Sequence, residues 1–214
     1  MLTLYDYPRS SACYRVRIAL HLKGIPFRRE EIHLLREGGE QFRPAYRAVN
    51  PQARVPALRL EDGSVLIQSP AILEWLEETY PTPALLPAEA GRRAQVRAAF
   101  SLIACDIHPL NNLAVLTYLK TKLGQDEQAV TAWYHHWITE GFNALEKLIE
   151  GPRFCFGEAP TLADVALVPQ VANAERYRLP LTPWPKIAAI AAHCRSLEPF
   201  ARAHPDAVSA PSTR

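Results

Sequence analysis

The sequence predicts an α+β protein of two domains: a mixed N-terminal domain with the order β-α-β-α-β-β-α, followed by an all-α helical C-terminal domain. Two observations predict this division. Short apolar strands alternate with helical segments only before residue 80, and Pro81, Pro83 and Pro87 then interrupt the chain ahead of apolar residues at helical spacing. The predicted domains are residues 1–80 and 88–205, joined by a linker over 81–87 and followed by a frayed tail over 206–214.

Each element of the first domain has a local signal. Leu2–Tyr5 is apolar enough for a strand, and the helix predicted over Tyr14–Lys23 ends at Gly24, a residue type common just after a helix. A second strand is predicted over Phe27–Ile32, and a short helix or turn over Gln41–Val49.

The first domain is predicted to end with a hairpin and a helix. Glu61-Asp62-Gly63 lies between two short apolar runs, which predicts two antiparallel strands joined by a tight turn. Ser69 as the N-cap and Pro70 as the first helical residue then begin a helix over Ala71–Thr79.

Every element predicted after the linker is a helix. Thr161 and Asp164 have the spacing of a capping box, with Asp in place of the usual Glu, and they begin one of these helices. The predicted helices cover Arg92–Ile107, Ala129–Ile149, Val165–Glu175 and Ile187–Cys194.

Composition excludes several classes of function. The 214 residues are 48% hydrophobic and carry a formal net charge of +2 with scattered basic residues, so we expect no nucleic-acid partner. Neither an apolar run of the ~20 residues that span a bilayer nor a signal peptide is found, so we expect a cytoplasmic protein without a membrane partner. The four cysteines form no redox or metal-binding motif, and we expect Cys105, Cys155 and Cys194 to be buried thiols.

The most informative segment is Arg9-Ser10-Ser11-Ala12-Cys13, which lies between the first strand and the first helix. The N-terminus of a helix offers unpaired backbone N–H groups and the positive end of the helix dipole. Both features stabilise an anion, and a bound thiolate is one candidate.

Several strings resemble the zeta class of the cytosolic glutathione transferases. They are Arg9-Ser10-Ser11-x-x-Tyr14-Arg15-Val16-Arg17-Ile18-Ala19-Leu20, Asn50-Pro51 before Val55-Pro56, Gln68-Ser69, Pro81-Thr82-Pro83, and Val168-Pro169-Gln170-Val171-Ala172-Asn173-Ala174. The resemblance implies a thioredoxin-like first domain, glutathione as cofactor, a small-molecule dicarboxylate as substrate, and a homodimer. The usual signature has cysteine directly after the second serine, a place that Ala12 takes here.

The resemblance also assigns the catalytic residues. It implies that Ser10, supported by Ser11, donates a hydrogen bond to the glutathione sulfur and favours the thiolate, with Arg9 beside them. Helix capping is the structural alternative for the two serines. Three other groups compete for the role at the sulfur: Tyr5, Tyr7 and, least favoured, Cys13.

The remaining contacts are implied in the same way. The predicted glutathione-binding residues are Ser10, Ser11, Gln41, Val55, Pro56, Gln68, Ser69, Asp106, His108 and Asn112, and no metal ligand is predicted. Ser69 is explained equally well as a helix cap, and Pro56 as protection of a strand start. Arg9, His108 and Arg176 are implied to bind the substrate, where His108 is either a general acid–base or a capping side chain beside Pro109.

The activity that the resemblance implies is the isomerisation of maleylacetoacetate to fumarylacetoacetate in tyrosine and phenylalanine catabolism. Addition of the glutathione thiolate turns the cis double bond into a single bond, which rotates before glutathione leaves. Three alternatives stay open: a maleylpyruvate isomerase, a transferase that conjugates small electrophiles or α-halo acids, and a non-enzymatic binding module. Leu113 and Ala114 stand where some maleylpyruvate-type enzymes have arginines, which weakens the first alternative.

Overall fold

The computed structural model describes residues 1–209, which fall into two compact units. The first contains Met1–Ala84 and the residues described from Leu197 on, and the second contains Leu85–Ser196. The first unit mixes strands and helices, whereas every regular element of the second is helical, as the predicted α+β class requires. The C-terminal boundary differs from the prediction at residue 205, because Leu197 and the residues after it pack with the first unit.

A four-stranded sheet organises the first unit. Its strands are β1 (Leu2–Asp6), β2 (Phe27–Glu31), β3 (Ala57–Arg59) and β4 (Val65–Ile67), in the order β2-β1-β3-β4. β2 is parallel to β1, whereas β3 is antiparallel to both β1 and β4. The predicted hairpin is therefore confirmed. The inner strand β1 ends at Asp6, three residues before Arg9, where the segment with the two serines begins.

The first helix, α1 (Ser11–Leu22), begins earlier than the predicted Tyr14. Ser10 takes the N-cap position with extended backbone angles, and its Oγ accepts a hydrogen bond from the Cys13 backbone N–H at 3.3 Å. Capping by a serine therefore lets the small residues between Ser10 and Tyr14 join the helix.

The other two helices of the predicted first domain are α2 (Pro44–Arg47) and α3 (Ser69–Thr79). α2 lies in the segment predicted as a short helix or turn. α3 has Gln68 at its N-cap, so the predicted N-cap role of Ser69 is wrong. The backbone turns into the helix at Gln68, whose φ of 69° lies in the left-handed region.

The helical unit contains five helices: α4 (Ala90–Ser101), α5 (Leu113–Thr121), α6 (Glu127–Leu148), α7 (Leu162–Arg176) and α8 (Pro185–Ser196). α5 was not predicted. α7 forms the core, since residues 162–171 are all buried. The predicted capping box at its start is confirmed, because Asp164 accepts hydrogen bonds from the backbone N–H and the hydroxyl of Thr161, each at 2.8 Å.

Two short helices, α9 (Glu198–Ala203) and α10 (Pro205–Ser209), complete the first unit. α9 packs against α1, where the Tyr14 hydroxyl donates to the Phe200 carbonyl at 3.4 Å. The tail predicted to be frayed is thus helical over 206–209, and its remainder, 210–214, lies outside the described residues.

One stretch, Ala90–Thr121, is long and apolar enough to cross a membrane by length and composition alone, although the sequence led us to expect none. Core helices of soluble proteins pass the same test. This stretch buries Val96, Ala99 and Phe100 inside the helical unit and changes its helical form before Pro109. The finding is therefore weak support for a membrane segment.

Candidate functional site

A tight turn positions Ser10 at the N-terminus of α1. The Ser10 backbone N–H donates to the Tyr7 carbonyl at 2.9 Å, which places Pro8 and Arg9 at the two central positions of the turn. The cap bond from Cys13 uses Ser10 Oγ as an acceptor and leaves its single O–H hydrogen to donate elsewhere. Ser10 can therefore cap the helix and donate to an anion at the same time.

Cys13 faces the core of the first unit. Its side chain is fully buried and packs in one cluster with Tyr5, Tyr46 and Val55. Burial raises the pKa of the Cys13 thiol, with a further increase from Asp6. A buried thiol with a raised pKa is a poor nucleophile. These properties explain why Cys13 is the least favoured candidate for the role at the glutathione sulfur.

The two competing tyrosines differ in exposure. Tyr5 is buried in β1, its ring meets the Tyr46 ring edge-on at 5.8 Å, and burial raises its pKa, which opposes a role in thiol activation. Tyr7 is half-buried in the turn before Ser10, and its ring meets the His33 ring edge-on at 5.2 Å. We therefore retain Ser10, which stands at the helix end, as the candidate donor.

The Val55–Pro56 peptide bond, directly before β3, is cis. In the loop that leads to it, the Arg54 carbonyl accepts hydrogen bonds from the Tyr46 hydroxyl and Asn50 Nδ2, both at 2.7 Å. Val55 itself packs in the cluster that contains Cys13. The loop and the start of α1 thus share one core.

Gln68 and Ser69 lie at the junction between β4 and α3. Gln68 Nε2 donates to Gln52 Oε1 at 2.7 Å. Ser69 is buried, and its hydroxyl accepts a hydrogen bond from Arg15 Nη1 at 3.4 Å. Arg15 is therefore a site-supporting residue on α1 that the sequence reasoning missed. The available signal was an arginine between the apolar residues Tyr14 and Val16 of α1.

Gln41 is buried in a 3₁₀ turn, Glu40–Phe42, beside the strongly bent backbone at Gly39. Its Nε2 donates to the Leu34 carbonyl at 3.2 Å, while its Oε1 has no hydrogen-bond partner within the described part of the chain. A Cβ at Gly39 would lie 2.6 Å from Gln41 Nε2, so only glycine leaves room for this arrangement. A buried acceptor without a partner suits an N–H donor from a ligand.

In the helical unit, three predicted residues follow α4. Asp106 is exposed on a π-helical turn, Leu102–Ile107, a form often found at functional sites. His108 makes no side-chain capping bond, so its capping alternative is wrong. Asn112 caps α5 by accepting from the Val115 backbone N–H at 3.1 Å, and this local role needs no ligand.

Arg176 ends α7 and is exposed. Its Nη2 donates to Asn173 Oδ1 at 3.0 Å, and its guanidinium lies 5.5 Å from the centre of the Tyr177 ring. Burial raises the pKa of Tyr134 to about 12, against the opposing effects of the charge of Arg176 and a hydrogen bond with it. The Tyr134 and Tyr177 rings are stacked with centres 3.6 Å apart. Three groups thus orient the Arg176 guanidinium.

The structure links elements that carry several of the predicted residues within each unit. In the first unit, the cluster with Cys13 and Val55 joins α1 to the loop before β3. The hydrogen bond between Arg15 and Ser69 joins α1 to the start of α3. In the second, Asn111 Nδ2 donates to the Tyr134 carbonyl at 3.1 Å, so α6 links the segment after α4 to Arg176. No group of three or more metal-binding side chains occurs among residues 1–209.

One cysteine prediction is wrong. Cys155 and Cys194 are buried as expected, but Cys105 is exposed on the π-helical turn. Apolar residues recur around Cys105 at helical spacing, which predicts burial, whereas the changed helical form in this segment shifts which side chains face the core.

Comparisons with known proteins identify the family. The profile of the glutathione S-transferase N-terminal domain matches residues 9–79, and that of the C-terminal domain matches residues 131–196. The chain belongs to the glutathione S-transferase family. The predicted family and fold class are thereby confirmed.

Relatives of this glutathione S-transferase share about half of its residues. The chain is 50% identical to the maleylacetoacetate isomerase of Pseudomonas aeruginosa, over 95% of its own length and 96% of that protein. It is also 50% identical to the maleylpyruvate isomerase of a Ralstonia species, over 96% of its length and 98% of that protein. These two names differ in substrate and agree in reaction type.

Solved structures show the same fold. The holo structure of a maleylpyruvate isomerase, a bacterial zeta-class glutathione S-transferase, matches with a TM-score of 0.93 at 49% identity, over 99% of this chain and 100% of that one. A maleylacetoacetate isomerase from Anaeromyxobacter dehalogenans 2CP-1 with bound glutathione matches with a TM-score of 0.87 at 42% identity, over 100% and 98% of the two chains.

The first unit offers groups that fit the chemistry of glutathione. The Ser10 hydroxyl can donate to a sulfur anion at the N-terminus of α1. The orphaned Gln41 Oε1 suits a peptide N–H. The start of α3, with the Ser69 hydroxyl, suits a carboxylate, since N–H groups at a helix N-terminus point outward.

Proposed function

We propose that this chain is a glutathione-dependent cis–trans isomerase that converts maleylacetoacetate to fumarylacetoacetate in tyrosine and phenylalanine catabolism. The observation that carries the proposal is the geometry of Ser10. Its oxygen is occupied by the cap bond from Cys13, and its hydrogen remains to stabilise an anion at the N-terminus of α1. The names of the relatives at about 50% identity support the same reaction type.

Glutathione, when bound, supplies the thiolate that adds reversibly to the cis double bond. Ser10 lowers the pKa of that thiol by donating to the sulfur, and the dipole of α1 acts in the same direction. Ser11 is buried next to it in the first turn of α1 and is assigned the supporting role beside Ser10. Gln41 and the Gln68–Ser69 junction hold the rest of the cofactor, and Val55 offers backbone groups beside Pro56.

On the substrate side, cations are needed for two carboxylates. Arg9 is exposed at the second central position of the turn, next to Ser10. In the helical unit, Arg176 is oriented for a carboxylate by Asn173 and Tyr134. His108 and Asp106 remain candidates for substrate and cofactor contacts on the segment after α4.

Ser10→Ala tests this function. We expect kcat with maleylacetoacetate to fall by roughly 10- to 100-fold, since a hydrogen bond to a charged group is worth about 1.5–3 kcal/mol. Ser10→Thr keeps both the hydroxyl and the cap and is the matched control. Full isomerase turnover by a folded Ser10→Ala variant would refute the role of Ser10.

Maleylpyruvate is the second candidate substrate, favoured by the TM-score of 0.93 to a maleylpyruvate isomerase. Against maleylpyruvate, α5 begins with exposed Leu113 and Ala114, which stand where some maleylpyruvate-type enzymes have arginines. Comparing kcat/KM on maleylacetoacetate, maleylpyruvate and chlorodinitrobenzene separates the two isomerases from a conjugating transferase. Higher kcat/KM on maleylpyruvate would assign the second function, and a rate on chlorodinitrobenzene alone would reject both.

We further propose that the protein is a cytoplasmic homodimer, as the family resemblance implies. Light scattering that gives a monomeric mass would reject the homodimer, and recovery of the protein outside the cytoplasm in fractionated cells would reject the location.

A further inference from the structure

Arg17, on α1, is fully buried, and its guanidinium contacts three separate segments of the first unit. Nη1 forms an ion pair of 2.5 Å with Asp6 Oδ1 at the end of β1. Nη2 donates to the Pro8 carbonyl at 3.0 Å, and Nε donates to the Ala203 carbonyl at the end of α9, also at 3.0 Å. Because each nitrogen has its own acceptor, the plane of the guanidinium is fixed.

The contact with Pro8 acts on the turn that positions Ser10. The Pro8 carbonyl belongs to the central peptide of this turn, and a flip of that peptide is what distinguishes type I from type II turns. Arg9 does not have the positive φ that a type II turn requires at its position. The hydrogen bond from Arg17 therefore holds the central peptide in one of its two orientations.

We propose that Arg17 is a positioning residue for the reaction. It holds the Pro8–Arg9 peptide in one orientation, and this orientation keeps the Ser10 hydroxyl and the Arg9 side chain in the positions that the proposed function requires. The proposal rests on the proposed function of Ser10. It also gives α9 a role in the site, because the Ala203 carbonyl accepts a hydrogen bond from Nε of the same guanidinium.

Arg29 provides a matched control on β2. Its Nε pairs with the other oxygen of Asp6 at 2.7 Å, and its Nη1 donates to the Val208 carbonyl at 2.9 Å. Like Arg17, it joins Asp6 to a C-terminal helix. Among the described residues its hydrogen bonds go to those two groups and not to the turn, so a substitution there removes a comparable support without touching the Pro8 carbonyl.

The test compares full-length Arg17→Lys and Arg29→Lys with the unaltered protein. Lysine keeps the charge beside Asp6 but cannot serve three acceptors from a rigid plane. The pKa of the bound glutathione thiol is measured from the ultraviolet absorbance of the thiolate against pH, together with kcat/KM against pH and the melting temperature.

For Arg17→Lys we expect the thiol pKa to rise by about one unit, and kcat/KM at neutral pH to fall by at most about tenfold, the limit set by the lost fraction of thiolate. The loss should shrink at high pH, where the thiol ionises without help, and a purely structural defect would not produce this pH dependence. Arg29→Lys should lower the melting temperature and leave the thiol pKa unchanged. An unchanged thiol pKa in Arg17→Lys, or an equal rise in Arg29→Lys, would overturn the proposal.

Further variants keep the outcome clear. If Arg17→Lys does not fold, the double variant Arg17→Met/Asp6→Asn replaces it, since it removes the donor to the Pro8 carbonyl together with the carboxylate that Arg17 would leave unpaired. Asp6→Asn alone, which leaves the bond from Nη2 to Pro8, is its control. A rise in thiol pKa in the double variant beyond that in Asp6→Asn supports the proposal, and equal values overturn it. Ser10→Ala is titrated in parallel. If that variant leaves the thiol pKa unchanged, the proposed function of Ser10 fails by itself, independently of Arg17.

Discussion

Replacement of Ser69 by alanine separates two tasks that meet at the first residue of α3. The Ser69 hydroxyl accepts a hydrogen bond from Nη1 of the buried Arg15 at 3.4 Å. The same hydroxyl is proposed to hold a carboxylate of glutathione. Ser69→Ala removes both interactions, and each has a separate readout.

The two losses differ in size. A hydrogen bond of 3.4 Å is long, so its removal should cost folding about 1 kcal/mol, although Arg15 is a buried charge. A hydrogen bond to a carboxylate is worth about 1.5–3 kcal/mol, which corresponds to roughly 10- to 100-fold weaker binding of glutathione. The effect on affinity should therefore exceed the effect on stability.

Calorimetric titration with glutathione and thermal denaturation measure the two effects on the same sample. We expect Ser69→Ala to weaken binding and raise the KM for glutathione with little change in kcat, because Ser10 is untouched. Ser69→Thr retains the hydroxyl and should bind nearly as well as the unaltered protein. If Ser69→Ala lowers the melting temperature but leaves the Kd for glutathione unchanged, Ser69 serves only Arg15, and the proposed carboxylate contact is wrong.

Two further predictions concern the helical unit. Burial raises the pKa of Asp164 above 3.8, so its contribution to stability is present below that value and is lost as pH rises through the folded-state pKa. Urea titrations of the unaltered protein and of Asp164→Asn measure this contribution as the difference between their free energies of unfolding. The difference should fall as pH rises from 3.8 through the folded-state pKa, and a pH-independent difference would contradict the reasoning. Tyr134→Phe should raise the KM for the dicarboxylate substrate roughly two- to tenfold without changing the KM for glutathione, because Arg176 loses one orienting bond; an equal effect in an Arg176→Ala background would show that Tyr134 acts by another route.

The parts of the fold that follow local rules could be predicted from the sequence. The hairpin followed from Glu61-Asp62-Gly63, and the start of α7 followed from the spacing of Thr161 and Asp164. α5 was missed although Asn112, which caps it, stands directly before an apolar run. Asparagine is equally common in turns, so its position alone does not predict a helix.

The docking of the C-terminal helices could not be predicted in this way. It depends on Arg17 and Arg29 donating to the backbone carbonyls of Ala203 and Val208, far along the chain. Every residue except proline has the same backbone groups, so such bonds leave no periodicity or motif. For the same reason the role of Arg15 became visible only when α1 and the start of α3 were seen together.

The displaced cysteine of the signature can be explained by helix geometry. Successive residues of an α-helix are rotated by about 100° around its axis. A thiol at the place of Ala12 would therefore point in a different direction from Cys13, which is turned into the cluster with Tyr5 and Tyr46. Burial there raises the pKa of the Cys13 thiol, whereas Ser10 remains half-buried at the open end of the helix. A shift of one residue is thus enough to turn the thiol into a core side chain, while the Ser10 hydroxyl, which we propose stabilises the glutathione thiolate, stays at the N-terminus of α1.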